Sequence, residues 1–388
     1  MLTRRSFVHT LGLGAAAYVG ARGRENAIWS ALEQPLEAIE KGVICLSSNE
    51  NPLGPGQAVL DAITAAFGPA GAATGRYSGS AGDLIDALAG RLKVKPENIV
   101  LGCGSTQILR SCAHLFTAKD KALVGTIPTY EECAGYAELM GHPVRPVALD
   151  ADMKIDLETF AAAAKESGLV FYCNPNNPTA TYVGARATRE FLARVNRDSP
   201  ETTILVDEAY YDYVTDPDHD THIPLAVENP RVIVARTFSK AYGMAGLRIG
   251  YAVGHAETIK RMAEWDAGSG TSSLNVLAMR AAIAATERDA SFVDAERARN
   301  RDVRDFTMKW FAERGMKPTD SQANFMFVNI GRPVKEFREA CAKQHVKVAR
   351  DFPPFEKTHC RISFGTMDEM KKAVAVFDRI LARKATAA

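Results

Sequence analysis

A repeated change of period constrains this 388-residue chain more than any other feature of its sequence. Short β-rich apolar runs fall at Ile99-Val100-Leu101, Ala122-Leu123-Val124, Leu169–Tyr172, Thr203–Val206, Val232–Ala235 and Ile249–Val253. Helical patterns lie between them, as in Leu84, Ile85, Leu88 and Leu92, or Ile108, Leu109, Cys112 and Leu115. Alternation of this kind predicts an α/β fold with a mainly parallel sheet covered on both faces. Ligands of such sheets bind beyond the carboxyl ends of the strands, where the connecting loops converge.

The pattern changes near Gly268-Ser269-Gly270-Thr271, where a long helical stretch begins and runs to about Phe311. Strands at Phe325–Ile330 and Arg361–Phe364 and helices around 333–343 and Met370–Leu381 then predict a smaller α+β domain. The boundaries read as 29–70 for an N-terminal arm and part of the small domain, 71–268 for the large domain and 269–388 for the small one. Within the arm, the turn-rich Ser47–Pro55 is expected to be extended or looped. Residues 1–28 stand apart. Thr3-Arg4-Arg5-Ser6-Phe7-Val8 precedes a weakly apolar run, Leu11–Gly20, in the layout of a twin-arginine export signal, which implies a periplasmic location; the alternative is an amphipathic arm on a cytoplasmic protein.

Forty-seven basic and 46 acidic residues nearly cancel. The balance gives no reason to expect a nucleic-acid partner, so anion recognition must rest on a few placed residues. No apolar stretch of about 18 residues suggests a membrane span. No cysteine ends the apolar run of the signal, so no stable membrane anchor is expected. Seven cysteines (45, 103, 112, 133, 173, 341 and 360) form no CxxC pair and no metal-ligand pattern, and are expected to be free, mostly buried thiols.

Candidate chemistry centres on Thr237-Phe238-Ser239-Lys240, just after an apolar run. Hydroxyls at Thr237 and Ser239, glycines at 243 and 246, and Arg248 accompany the lysine. An imine-forming lysine beside donors for a phosphate is what pyridoxal 5'-phosphate (PLP) requires at one end of its site. The segment Thr237–Tyr251 resembles the lysine segment of fold-type I aminotransferases of class I/II, closest to the histidinol-phosphate aminotransferase branch. The resemblance spans about residues 43–383 and implies PLP as cofactor, with Lys240 carrying it as a Schiff base.

It also implies roles for the other motifs. Asp207, in Asp207-Glu208-Ala209-Tyr210, would keep the pyridine nitrogen protonated, and Tyr210 and Asn177 would reach the ring hydroxyl. Ser105 and Thr106, at a Gly-rich strand-to-helix turn, would join Ser239 and Arg248 around the phosphate, helped by free N–H groups at the helix start. Tyr130 resembles the aromatic that stacks on the ring. Tyr77 resembles a tyrosine lent across a homodimer interface. Arg361, in Cys360–Thr366, resembles the arginine that forks the substrate carboxylate. Arg350 resembles a second arginine used near a distal phosphate, while Asn49, Asn51 and Asn324 are expected to line the entrance or the carboxylate site.

The implied activity is amino-group transfer between an L-amino acid, or a histidinol-phosphate-like amine, and a 2-oxo acid. Two alternatives remain open at this point: a PLP-dependent decarboxylase or lyase on the same scaffold, and a non-catalytic PLP-binding sensor. Phe352-Pro353-Pro354-Phe355 and Tyr130 suggest an aromatic or apolar substrate side chain.

Overall fold

A computed structural model describes residues 42–67, 74–75, 81–266, 274–288 and 290–382. The signal segment 1–28, most of the predicted arm before Ile44, the boundary near 268–271 and Tyr77 lie outside the described residues. The chain divides into two units, Met1–Val43 and Ile44–Ala388, and the architecture that follows belongs to the second.

Its eleven described strands are β1 (Ile44–Leu46), β2 (Ile99–Gly102), β3 (Leu123–Ile127), β4 (Val144–Ala148), β5 (Leu169–Cys173), β6 (Thr203–Asp207), β7 (Val232–Thr237), β8 (Gly250–Gly254), β9 (Phe325–Asn329), β10 (Val346–Val348) and β11 (His359–Ser363). Seven form one sheet in the order β2-β8-β7-β6-β5-β3-β4. The block from β7 to β4 is parallel, and β8 runs antiparallel to both β7 and β2.

Alternation along the central strands accounts for the unbroken apolar runs. In β5, β6 and β7, Val170, Tyr172, Ile204, Val206, Val232 and Val234 enter one core, while Leu169, Phe171, Leu205, Ile233 and Ala235 enter another on the opposite face. Side chains along the middle of these strands are therefore packed on both faces, and polar residues are confined to the strand ends.

Two smaller sheets, β1 with β10 in parallel and β9 with β11 antiparallel, share a separate core. Trp310, Phe311, Phe337, Phe364 and Phe377 pack there with Leu46 of β1. The final helix, Met367–Leu381, starts at a capping box in which Thr366 accepts from the Glu369 amide and Glu369 accepts from the Thr366 amide. The region read as one long helical stretch holds two described helices, Val276–Arg288 and Ala290–Ala312. None of the seven cysteines is in a disulfide, and only Cys45 and Cys103 are exposed.

Candidate active site

The parallel strands deliver their functional side chains to one edge. Asp207 is the last residue of β6, Lys240 follows β7 by three residues, Asn177 follows β5, and Tyr130 follows β3. Ser105 and Thr106 open the helix Gly104–Phe116 directly after β2, and Arg248 precedes β8 with a left-handed backbone (φ 58°). Two glycines allow this closeness. A Cβ on Gly250 would sit 2.6 Å from the Ser105 amide nitrogen, and one on Gly104 would sit 2.5 Å from a guanidinium nitrogen of Arg248.

Together these residues line a cleft of about 410 Å³ with Ser47, Ser48, Asn49, Glu50, Cys173, Ala209, Tyr210, Thr237, Ser239, Ala245, Arg350 and Arg361. That volume suits a cofactor-sized ligand.

Lys240 Nζ donates to the Ser48 carbonyl at 3.1 Å and lies 5.6 Å from the centre of the Tyr210 ring. Burial, aided by the charges of Arg361 and Arg248, brings its amine down to about 8 against the pull of Glu50 and Asp207. Asp207 is buried, and one carboxyl oxygen accepts from the Ala209 amide at 3.1 Å. Burial pushes this carboxyl up to about 7, with the Ala209 bond and Lys240 opposing.

Its neighbour Glu208 shows the reverse. Burial would raise it too, but Arg236 (2.7 and 2.9 Å) and His222 hold it down at about 2. Adjacent carboxyls are thus set apart by whether a cation of the protein meets them.

Arg361, on β11, is buried and donates to the Asn177 side-chain oxygen at 2.7 Å and to the Ser47 carbonyl at 2.5 Å, while its Nε has no partner. Burial lowers its guanidinium to about 10. The Tyr210 hydroxyl accepts from Asn49 at 3.0 Å, and burial raises it well above the usual tyrosine range. A hydrogen bond joins the side chains of Tyr130 and Thr106. Thr237 Oγ1 donates to the Ser239 hydroxyl at 2.9 Å and accepts from the Ser239 amide at 3.1 Å.

Three expectations change. Asn51 and Asn324 are not among the cleft-lining residues: Asn51 donates to the Ala241 carbonyl at 3.0 Å, and Asn324 to the Asn49 carbonyl at 2.9 Å. The Asn51 amide is used at both ends in fixing the arm, whereas Asn324 holds the arm through its NH2 group and its buried Oδ1 has no partner. Phe352 and Phe355 do not line the cleft either; they pack on Phe327 in a small core of their own. Both Arg361 and Arg350 instead lie against the Phe352 ring, 4.8 and 4.5 Å from its centre.

Sequence reasoning did not find Ser47, Ser48 and Cys173. The first two act through main-chain carbonyls, which no residue type announces. The Cys173 thiol, 4.0 Å from Asp207 Oδ2, looked like one more scattered cysteine.

The model of the family described as "Aminotransferase class I and II" matches residues 41–377. A histidinol-phosphate aminotransferase of Moorella thermoacetica is 35% identical over 368 residues, covering 90% of this chain and 89% of that protein. One from Bacillus subtilis is 31% identical, covering 90% and 96%. The crystal structure of histidinol-phosphate aminotransferase from Sinorhizobium meliloti in complex with pyridoxal-5'-phosphate superposes with a TM-score of 0.78 at 26% identity, covering 90% of this chain and 94% of that one. The chain belongs to the class I and II aminotransferases, enzymes of PLP fold type I.

Proposed function

We infer that this cleft moves an amino group between an L-amino acid and a 2-oxo acid, with Lys240 as its reactive amine and Arg361 as its carboxylate receptor. The observation that carries the reading is the meeting of a buried carboxyl, a lowered lysine amine and a buried arginine in a single cleft.

The residues fit PLP. Asp207 is a buried carboxyl with no arginine partner of its own, suited to a pyridinium nitrogen. Gly104 leaves room beside Arg248 that a side chain would fill, at a helix start whose free N–H groups favour a phosphate. Ser105, Thr106, Ser239 and Arg248 would hold that phosphate, Tyr130 would cover the ring, and Asn177 and Tyr210 would meet its hydroxyl. Bound PLP supplies an electron sink for charge developing at the substrate Cα.

The chain's own part is positional and protolytic. Lys240 Nζ, whose amine burial lowers to about 8, takes the Cα proton and returns it to a different carbon. Asp207 favours the protonated ring nitrogen by charge. Arg361 orients the substrate by a fork of N–H donors. Histidinol phosphate belongs in any donor panel, because the curated relatives carry its name.

Lys240→Ala is expected to abolish half-reactions with every amino donor and to remove the cofactor's imine absorbance. Turnover near the wild-type rate would rule out Lys240. Formation of pyridoxamine phosphate with release of a 2-oxo acid separates transamination from decarboxylation or elimination.

The reading extends to assembly and address. A homodimer would let Tyr77 reach the partner's phosphate site, so Tyr77→Phe should weaken cofactor retention in the dimer. Arg4-Arg5 and the run Leu11–Gly20 support export to the periplasm. Fractionation of the wild type and an Arg4→Lys, Arg5→Lys variant tests this, and wild-type protein confined to the cytoplasm would refute it.

A further inference from the structure

The mouth of the cleft carries a charge arrangement that the roles above leave unused. Arg350 lines the cleft, yet its guanidinium is already engaged. Nη1 donates to Glu131 Oε1 at 3.3 Å and Nη2 donates to Glu131 Oε2, so both carboxylate oxygens are involved. Nη1 also donates to the Asp351 carbonyl at 2.9 Å, and the group lies against the Phe352 ring. The Asp351 carboxylate is taken by Arg338 at 2.9 Å, so it does not compete for Arg350. Glu131 directly follows Tyr130, which places the pair beside the aromatic wall of the cleft. A second carboxylate, Glu50, lines the same cleft and acts on the charge of Lys240.

We propose that Glu131 is a specificity-determining residue that occupies Arg350 and so fits the cleft to amino donors whose side chains end uncharged or cationic, against donors with a distal phosphate or carboxylate. The proposal rests on the reading of Arg361 as the receptor for the substrate's α-carboxylate. Glu131 takes the Nη1–Nη2 edge of the guanidinium, so another anion can pair with Arg350 only by displacing it or on the Nε side, next to the Glu131 carboxylate. An incoming distal anion must displace Glu131 or lie beside it, and like charges held together across a binding site are unfavourable. Arg350 and Glu131 are both about half exposed, so water and salt moderate the effect.

The test uses PLP-loaded enzyme and half-reactions with L-leucine, L-phenylalanine, L-lysine and L-glutamate. Glu131→Gln is expected to lower KM for glutamate about tenfold at low salt, with kcat and the leucine KM little changed. The gain should shrink in high salt and vanish in the double variant Glu131→Gln, Arg350→Ala. Competitive inhibition by inorganic phosphate should strengthen in Glu131→Gln by a similar factor. Unchanged KM ratios in Glu131→Gln, or a wild type that prefers L-glutamate to uncharged donors, would overturn the proposal. Failure of the underlying reading looks different: either no donor reacts at all, or Arg361→Met leaves KM for L-leucine unchanged.

Discussion

Arg361 donates to the side-chain oxygen of Asn177 at 2.7 Å, joining the strand of the smaller sheet to the loop that follows β5. The two residues are 184 positions apart, and each has a separate proposed duty, one toward the substrate and one toward the cofactor ring.

Asn177→Ala should therefore be felt at the substrate carboxylate. It leaves a buried guanidinium with the Ser47 carbonyl as its remaining hydrogen-bond partner from this pair. A hydrogen bond to a charged group contributes about 1.5–3 kcal/mol, so kcat/KM for amino donors should fall roughly 10–100-fold. Asn177→Asp should act differently, pairing with Arg361 and raising KM by competition. Stopped-flow half-reactions across donor concentrations separate the two. An unchanged KM in both variants would mean that the contact does not position Arg361.

In the cofactor-free protein, Lys240 should titrate near pH 8, against 10.5 for an unperturbed lysine. The rate of its acylation by an amine-reactive reagent, followed by peptide mass spectrometry, should reach half its plateau near that pH. Burial is the larger cause and Arg361 the next, so Arg361→Met should move the midpoint upward without restoring the full value. A wild-type midpoint above pH 10 would contradict this.

Asp207 and Glu208 should impose opposite pH slopes on stability. Asp207 is raised from 3.8 to about 7, so between those values the folded apoprotein holds a proton that the unfolded chain has released. Its stability therefore falls as pH rises through that window. Glu208 is lowered from 4.5 to about 2, so its contribution is present above 4.5 and is lost as pH falls toward 2. A cation bound at Asp207 removes the first slope, so the gain in melting temperature on adding PLP should widen from pH 5 to pH 8. Asp207→Asn should flatten the apoprotein's profile between pH 4 and 7. An identical slope in that variant would refute the assignment.

Gly243→Ala should be costly for a reason unrelated to chemistry. Gly243 has φ +66°, and a Cβ there would lie 2.2 Å from backbone atoms of Gly54. No side-chain rotation relieves a clash with main chain, so a loss of more than ~2 kcal/mol is expected by chemical denaturation, with arm and lysine loop pushed apart. Gly246→Ala, where nothing lies within 4 Å, serves as the control.

The parts of the fold that could be read in the sequence share one property. β5, β6 and β7 are buried on both faces, so burial alone wrote them as apolar runs. β4 contains Arg145 and Pro146 at a partly exposed sheet edge, and β10 is three residues long, so neither gave a run to notice. The antiparallel direction of β8 was equally hidden, since strand direction leaves no mark on composition. In the cleft, Asp207, Tyr210, Lys240 and Arg248 could be placed because they stand at strand ends in short motifs. Asn51 and Asn324 were expected at the cleft because an asparagine that ties down an arm looks the same in sequence as one that faces a ligand. The Glu131–Arg350 pair spans 219 positions and had no local signal at all.

Lys240, Arg361 and Arg248 each rest on a main-chain oxygen: that of Ser48 at 3.1 Å, Ser47 at 2.5 Å and Ala245 at 2.8 Å. Every amino acid possesses that atom. The side chains at 47, 48 and 245 are thus free to drift while the grip on all three cations persists, provided the backbone keeps its course. A replacement that bends the path at Ser47 or Ser48 would loosen the reactive amine and the carboxylate receptor in one stroke, so the two cannot be retuned separately from this side of the cleft.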